Sequence, residues 1–367
     1  MIDSEDLLQR FVSYVKLDTQ SDPHSLTTPS TEKQWVLIRL LEMELKALGL
    51  YEVQVTPFGY VLATVPATSP KENVPVVSFW AHVDTAPGCA ANPKPLVHRA
   101  YDGGKIFLPD DPKQVLDPAT IPELRGKQGE TLITASGTTL LGADDKAGVA
   151  IIMAAVRYWV QHPEVLHGPV RICFNPDEEI GRGTEKLELS ELGAEVAYTL
   201  DAENPGEVNY ESFSADEAWV TIKGVASHPG WAKGVMVNAL RIAAEFLQAL
   251  PTEWSPEQTE GRAGFIHPLE IKGGAEEVSL RMLLRDFEVA GLEEKGRWVQ
   301  AVADRLQQDH PRACLSVKIR KQYRNMRYWL ERDLRPVEYA QEAIRRAGLT
   351  PSNSAIRGGT DGSQLTA

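Results

Sequence analysis

Four short segments in the first part of the chain carry the side chains best suited to chemistry. They are AHVDT with His82 and Asp84, GADDKAG with Asp144 and Asp145, PDEEIG with Glu178 and Glu179, and TLDAEN with Asp201. Carboxylates combined with an imidazole suit zinc, manganese or cobalt better than copper or an iron–sulfur cluster. The set therefore predicts a two-metal hydrolase.

Each segment also has a structural explanation when it is considered alone. Adjacent aspartates at a helix start commonly cap the helix, where the helix dipole favours acidic groups. Adjacent glutamates commonly form a solvated turn, and an acid that follows a strand, such as Asp201, is commonly a turn residue. All four segments fall at predicted strand or helix ends, however, and this shared placement favours the metal site over four independent coincidences.

The spacing within AHVDT and PDEEIG also indicates different roles for neighbouring side chains. His82 and Asp84 are two residues apart, so on an extended backbone they project to the same side, and Asp84 can orient the imidazole by accepting its other N–H. Glu178 and Glu179 are adjacent and point in different directions in most conformations. One glutamate can therefore bind metal while the other handles protons.

The elements that must position these segments alternate between strand and helix. Helical periodicity covers residues 4–17 and 32–48, and Ser30 and Thr31 are predicted to cap the second helix. The apolar run 74–80 predicts a strand buried on both faces, with His82 just beyond its end. We expect an α/β fold with a mixed, mostly parallel sheet and helices on both faces, in which sites collect beyond the strands' carboxyl ends.

The remaining site segments fit the same arrangement, and a second domain follows them. GADDKAG leads into a predicted helix, and a predicted strand runs directly into PDEEIG. A smaller α+β domain with a βαββαβ-like order then begins near residue 218. We expect a catalytic metal-binding domain of residues 1–210 and 326–367. Residues 211–325 would form an inserted lid or dimerisation domain, whose strand edge suits a symmetric homodimer.

Composition narrows the class of protein further. A chain of 367 residues exceeds one ordinary core, and its net charge of −13 argues against nucleic acid or anionic membrane as a partner. Cys89, Cys173 and Cys314 are widely separated, which is typical of reduced thiols in a cytosolic protein. The acidic N-terminus does not resemble a signal peptide, and no apolar run approaches the roughly 20 residues that span a bilayer. We expect a cytoplasmic protein that binds small ligands.

Longer strings extend the pattern over nearly the whole chain: STEKQW, HVDT, TLLGADDKAG, PDEEIG, HPGWAKGVMVNAL, LLRDF and IRGGTDGS. Together they resemble the peptidase T family, the tripeptide aminopeptidases of the di-zinc exopeptidase and aminoacylase superfamily. The superfamily as a whole would share only HxD, DD and EE, so the resemblance is to the narrower family.

The resemblance implies a zinc-dependent aminopeptidase that removes the N-terminal residue from tripeptides, with two zinc ions per subunit. The implied roles are His82 and Asp201 as terminal ligands of one zinc ion, Asp144 as the bridging carboxylate, Glu179 as a ligand of the second zinc ion, Asp84 as the residue that orients His82, and Glu178 as the general base.

The resemblance also implies substrate-binding residues. His228, from its own or a partner subunit, would stabilise the tetrahedral oxyanion, although a histidine before Pro-Gly is alone most often a loop residue. Asn238 and Arg285 would contact the substrate, and an internal ion pair of Arg285 with Asp286 or a neighbour is the alternative. Arg357 would line the catalytic-domain side of the cleft.

Two departures from the family pattern lead to further expectations. Ala202 and Glu203 follow Asp201 where the family usually has glycines, so side chains should replace bare backbone there. The sequence ends at Ala367, before the family's last histidine ligand, so the second zinc site is expected to be incomplete. The alternatives are a catalytically silent or impaired relative that acts in binding or assembly, and a hydrolase of N-acyl amino acids or dipeptides.

Overall fold

The computed structural model describes residues 2–88 and 92–366, so Cys89 lies outside the described residues. The chain forms two compact units, Met1–Glu203 and Asn204–Ala367. The helices of the first unit are α1 (Ser4–Val15), α2 (Gln34–Ala47), α3 (Ala143–Gln161) and α4 (Leu189–Leu192). Its strands are β1 (Gln54–Val55), β2 (Val61–Val65), β3 (Val77–His82), β4 (Leu96–His98), β5 (Ile106–Phe107), β6 (Val115–Leu116), β7 (Leu132–Thr134), β8 (Val170–Asn175) and β9 (Val196–Thr199).

A five-stranded mixed sheet organises the first unit, in the order β1-β2-β8-β3-β9. Strand β3 runs parallel to both β8 and β9, whereas β2 is antiparallel to β8 and to β1. The carboxyl ends of three parallel neighbours therefore meet at one edge. His82 ends β3, Asn175 ends β8 just before PDEEIG, and Asp201 follows β9 closely. The predicted α/β class is confirmed.

The core of the first unit holds this edge in place. Leu37 and Leu41 of α2, Ile152 of α3, and Ile172 and Phe174 of β8 are buried together in one apolar cluster. Burying an aliphatic or aromatic side chain of this size contributes about 1.5–3 kcal/mol. The site residues are thus carried by the ends of the largely buried strands β3 and β8, by the end of β9, and by the N-terminal end of α3.

Two local predictions in this unit are wrong. Strand β3 begins and ends later than predicted, so His82 is its last residue and does not lie beyond it. Helix α2 begins at Gln34 without a side-chain cap, because Ser30 and Thr31 bond elsewhere. The Ser30 hydroxyl donates to Asp177, and the Thr31 hydroxyl donates to the carbonyl of Gln20.

The second unit contains β10 (Glu207–Ser212), β11 (Ser214–Lys223), α5 (Ala239–Gln248), β12 (Phe265–Gly273), β13 (Glu277–Asp286), α6 (Val289–Asp309), β14 (Cys314–Tyr323), α7 (Arg327–Leu330), α8 (Arg335–Arg346), β15 (Ser352–Ile356) and α9 (Asp361–Leu365). An antiparallel sheet, β12-β13-β11-β14, packs against α5 and α6. The order β11-α5-β12-β13-α6-β14 matches the predicted βαββαβ pattern. Strand β12 carries Pro268, which a strand tolerates at a sheet edge.

The end of the chain groups with this second unit. Strand β15 pairs in parallel with β10, and Ser363 donates a hydrogen bond to the Ser212 hydroxyl at 2.9 Å. The division into residues 1–210 plus 326–367 and 211–325 stays a prediction. Among the described residues, no helix has both the length and the apolar character needed to cross a membrane.

Candidate active site

His82 is the centre of the candidate site. The ring is buried, and its Nδ1 lies 3.0 Å from the backbone carbonyl of Asp84 and 3.4 Å from the Asp84 carboxylate. Its Nε2 lies 2.9 Å from Oδ1 of Asp144 and 3.9 Å from Oδ2 of Asp201. Asp84 therefore holds the Nδ1 edge of the ring, and Nε2 faces the carboxylates of Asp144 and Asp201.

The two aspartates of GADDKAG have different environments. Both have non-helical backbone angles at the start of α3, and the peptide bond between them is cis. Asp145 is buried, and its oxygens accept the backbone N–H groups of Gly148 at 3.1 Å and His82 at 3.2 Å. Asp144 faces the imidazole with 68% of its side chain exposed. Asp145 thus takes the capping role that the pair allowed, and Asp144 is the carboxylate open to a ligand.

Gly148, in the first turns of α3, allows this helix to approach Leu200, the residue that follows β9. A Cβ at this position would lie 2.4 Å from the carbonyl oxygen of Leu200 and 2.4 Å from Oδ1 of Asp145. Either contact is far inside van der Waals distance, so only glycine permits this packing. The close approach sets Asp201, the residue after Leu200, beside the aspartate pair.

Asp84 connects His82 to the glutamate pair. Its carboxylate is fully buried and accepts the backbone N–H of Glu178 at 3.0 Å and that of Glu179 at 3.2 Å. These two residues begin a short 3-10 turn, Glu178–Ile180. Asp84 was predicted to orient His82. It also holds the backbone of both glutamates, a contact that no local sequence pattern indicated.

The electrostatics of the cluster favour an added positive charge. Burial, with the nearby charge of Asp144, raises the pKa of Glu179 to about 7. Burial, with the charges of Asp201 and Asp144, raises the pKa of Asp145 well above its ordinary value. Burial opposes protonation of His82, but the carboxylates of Asp144 and Asp84 outweigh it and raise the pKa of His82. Several acids thus crowd around one imidazole, an arrangement that a divalent cation would stabilise.

The donor set fits a metal ion. His82, Asp145 and Asp201 offer ligand atoms that all lie within 4.8 Å of one another. Asp144 lies closer still to the imidazole, and the hydrogen bond from His82 holds the pKa of Asp144 below its ordinary value, in the ionised form that a metal requires. One imidazole with several carboxylates suits a hard or borderline divalent cation.

Two buried charged residues near the site were not predicted. Lys146 is fully buried, donates to the backbone carbonyl of Leu17 at 2.6 Å, and has its pKa lowered by burial to about 8. Asp177 is also fully buried and is bonded to Ser30 and Gln34. The sequence shows only that each is a charged residue within a motif. Whether such a residue is buried depends on contacts with distant parts of the chain.

The predicted substrate residues His228 and Asn238 belong to the second unit. His228 is exposed, its Nδ1 accepts the backbone N–H of Gly230 at 3.1 Å, and its ring contacts that of Trp231 at 4.6 Å between centroids. Asn238 is the N-cap of α5 and accepts the backbone N–H of Leu240 at 2.9 Å. Asn238 therefore has a structural role whether or not it contacts substrate.

The two predicted arginines also belong to the second unit and are bonded to its backbone. Arg285 donates to the carbonyls of Asp216 at 3.2 Å and Leu284 at 3.0 Å, while Asp286 pairs with Lys295 at 2.6 Å. The Arg357 guanidinium donates to the carbonyls of Gly261 at 2.7 Å and Ala263 at 2.8 Å, and to the Thr259 hydroxyl at 3.0 Å. The alternative for Arg285 was an ion pair with Asp286 or a neighbour; Asp286 instead pairs with Lys295, and Arg285 bonds to backbone carbonyls.

Known sequences resemble this chain over almost its whole length. Peptidase T of Geobacillus thermodenitrificans is 49% identical over 99% of this chain and 88% of its own length. Peptidase T of Listeria welshimeri is 45% identical with the same coverage of both chains. The peptidase dimerisation domain family matches residues 210–314, which lie within the second unit.

Solved structures share the fold. A tripeptidase from Staphylococcus aureus aligns with a TM-score of 0.76 at 23% identity, over 100% of this chain and 87% of that one. A dinuclear metal-binding peptidase of the M20 family from Bacillus subtilis aligns with a TM-score of 0.61 at 14% identity, over 99% and 86% of the two chains. Because relatives named peptidase T are 45–49% identical over almost the whole chain, the chain belongs to the peptidase T family of metallo-exopeptidases.

Proposed function

We propose that this protein is an aminopeptidase that uses two zinc ions to remove the N-terminal residue from tripeptides. The observation that carries the proposal is the cluster of His82, Asp144 and Asp201, in which one buried imidazole nitrogen faces two carboxylates at the sheet edge. Family membership supports the reaction class, and the similar Staphylococcus aureus protein is named a tripeptidase.

Four side chains would hold the metal ions: His82, Asp144, Glu179 and Asp201. When bound, two divalent cations would lower the pKa of a water molecule and polarise the scissile carbonyl. Asp84 orients the imidazole through its backbone carbonyl and carboxylate, so that Nε2 points towards Asp144. This orientation turns Nε2 towards the carboxylates that would share a metal ion with it.

Glu178 would be the general base. Its carboxylate takes a proton from the attacking water and passes it to the nitrogen of the leaving peptide, so no covalent intermediate forms. Asp84 accepts the backbone N–H groups of Glu178 and Glu179, which fixes the turn from which both carboxylates project. A base held in this way loses little freedom when the substrate binds.

Residues of the second unit would bind the substrate. Since the Nδ1 of His228 accepts a backbone N–H, a neutral ring carries its proton on Nε2 and can donate it to an oxyanion. Arg285 and Arg357 supply positive charge for a peptide carboxylate, which a guanidinium binds in a bidentate way. Asn238 would contact the substrate through its amide N–H groups, because its oxygen caps α5.

The assembly and location of the protein follow as further proposals. The match of residues 210–314 to a peptidase dimerisation domain supports a homodimer formed through the second unit. The wide spacing of the cysteines and the peptide substrate support a cytoplasmic location. Light scattering after size exclusion measures the mass directly, and a monomer at micromolar concentration would contradict the dimer.

The function is tested by assaying the zinc-loaded protein against a tripeptide, a dipeptide and an N-acyl amino acid, with zinc counted per chain. We expect cleavage of the tripeptide from its amino end, and loss of activity with a chelator. Glu178→Gln should keep its zinc and lose about 10³-fold or more in kcat. Cleavage of only the N-acyl compound would select the acylase alternative. A folded, zinc-replete sample that cleaves none of the three would select the silent relative.

A further inference from the structure

A buried carboxylate that the proposed reaction does not use lies directly before the glutamate pair. Asp177 is fully buried and has a φ of 63°, in the left-handed region that non-glycine residues rarely adopt. Burying a carboxylate is unfavourable unless hydrogen bonds replace its water, and glycine would adopt this φ with less strain. The presence of aspartate here therefore points to a requirement for its side chain.

The STEKQW string supplies the partners of this carboxylate. The backbone N–H of Ser30 lies 3.0 and 2.8 Å from the two oxygens of Asp177, and the Ser30 hydroxyl donates to Oδ1 at 2.5 Å. The amide of Gln34 donates to the same oxygen at 2.7 Å. Ser30 and Gln34 are themselves buried. We call Ser30, Gln34 and Asp177 the carboxylate clamp.

The carboxylate clamp holds one end of the turn that carries the proposed base. The backbone carbonyl of Asp177 accepts the N–H of Arg182 at 2.9 Å, which closes the turn. The Arg182 guanidinium donates to the carbonyls of Ser25 at 2.9 Å and Thr27 at 2.7 Å, in the same segment that leads to Ser30. The turn is thus fastened to residues 25–34 on one side and to Asp84 on the other.

We propose that Ser30, Gln34 and Asp177 are positioning residues that set the direction of the Glu178 and Glu179 carboxylates. The proposal rests on the proposed function, in which Glu178 moves the proton and Glu179 binds metal. Hydrogen bonds to Asp177 fix the backbone immediately before Glu178, and those to Asp84 fix its own N–H. Loss of the clamp would let the turn rotate while His82, Asp84 and Asp144 keep their contacts with one another.

The main test compares Ser30→Ala with Ser136→Ala. Ser136 is also buried in the first unit and donates to an aspartate, Asp110, at 2.8 Å, so it serves as a control for the loss of a buried serine hydroxyl, although Asp110 itself is partly exposed. We expect Ser30→Ala to lower kcat about 10–100-fold with KM changed less than about threefold. Ser136→Ala should leave kcat unchanged. The melting temperature should fall by only about 2–4 °C in each variant.

Two further measurements separate positioning from a general structural effect. Zinc titration of the metal-free protein should show affinity lowered about 10-fold or more in Ser30→Ala but not in Ser136→Ala, because Glu179 shares the turn. In a Glu178→Gln background, Ser30→Ala should lower kcat less than about threefold further, since the base that it positions is already absent. Ser30→Thr keeps the hydroxyl and should restore most of kcat.

Distinct outcomes overturn the two levels of the proposal. If Ser30→Ala matches Ser136→Ala in both kcat and zinc affinity, or if its full loss persists with Glu178→Gln, the positioning role is wrong. If the unmodified protein cleaves no peptide, the proposed function fails, and the zinc titration still decides whether the carboxylate clamp positions Glu179. Gln34→Met removes one donor at similar size and replaces Ser30→Ala if that variant does not fold.

Discussion

The two units hold their candidate functional residues in different ways. In the first unit, His82 and Asp84 are buried, and each is fixed by contacts with other members of the site. In the second unit, His228 is exposed, and the Arg357 guanidinium is bonded to backbone carbonyls nearby. The proposed metal ligand His82 is thus held in place before any ligand arrives, whereas the proposed substrate residues have local partners that a substrate would have to replace.

This difference has an energetic consequence. A site whose dipoles and charges are already oriented spends little free energy on reorganisation during the reaction. Side chains that exchange local hydrogen bonds for substrate bonds gain only the difference between the two sets. We therefore expect changes in the first unit to remove metal and catalysis together, and changes in the second unit to alter turnover or substrate affinity with the metal retained.

The largest effect is expected from His82→Ala. This change removes the imidazole ligand and leaves the buried carboxylates without their histidine partner, so zinc content should fall and kcat/KM should drop by about 10³-fold or more. Elemental analysis and a tripeptide assay measure the two losses. His98→Ala, which removes a partly buried histidine elsewhere in the first unit, should change neither quantity. Full zinc content in His82→Ala would contradict the proposed ligand set.

His228→Ala tests the other side of the comparison and should have the next largest effect. Removal of one oxyanion donor lowers kcat by about 10²–10³-fold, and zinc content should not change. Steady-state kinetics with metal analysis checks both expectations. His310→Ala, at another histidine of the second unit, serves as the control. Loss of zinc in His228→Ala would contradict the expectation that changes in the second unit leave the metal bound.

The pH dependence of metal binding should be smaller but specific to the first unit. Because the pKa of Glu179 is raised to about 7, this carboxyl is largely ionised above that pH and protonated below it. Zinc must then displace this proton as well as the one held by His82, whose pKa is also raised, so affinity should fall by at least about tenfold per pH unit as pH decreases below about 7. Zinc titrations at about pH 6 and about pH 8 measure the change. Equal affinity at both would show that Glu179 does not bind metal.

Arg357→Lys should affect substrate affinity rather than turnover, besides weakening the bonds of Arg357 to Thr259, Gly261 and Ala263. Lysine keeps the charge but loses the planar fork of donors, so KM for a tripeptide should rise about tenfold while kcat stays near its original value. Steady-state kinetics separates the two constants, and Arg345→Lys on the exposed face of α8 is the matched control. A fall in kcat with no change in KM would place Arg357 in a different role.

Substitutions of Asn238 should have the smallest effect, and they distinguish its role as a helix cap from a role in substrate binding. Asn238→Ala removes the α5 cap and should lower the free energy of unfolding by about 1 kcal/mol. Asn238→Asp keeps an oxygen for the cap, so stability should be nearly restored. Denaturant unfolding and KM measured on both variants separate the roles. If Asn238→Asp recovers both stability and KM, the residue acts only as a cap.

Much of the fold followed from local pattern. The apolar run 74–80 before His82 and the predicted strand before PDEEIG indicated parallel strands with their acids at one edge, and β3 and β8 do run parallel. The βαββαβ-like order of the second unit was also predicted, and the elements β11-α5-β12-β13-α6-β14 follow it. Periodic burial leaves a local signal that a short segment of sequence can carry.

The sequence by itself determined which residue types were available for chemistry and that they would meet at strand ends, because strand direction and apolar periodicity are local properties. Only the tertiary structure decided that Asp145 caps α3 while Asp144 faces His82, and that Ser30 binds Asp177 rather than capping α2. Those choices depend on hydrogen bonds between residues far apart in the chain. Such partners compete with local caps, and which of them wins depends on packing that no short segment encodes.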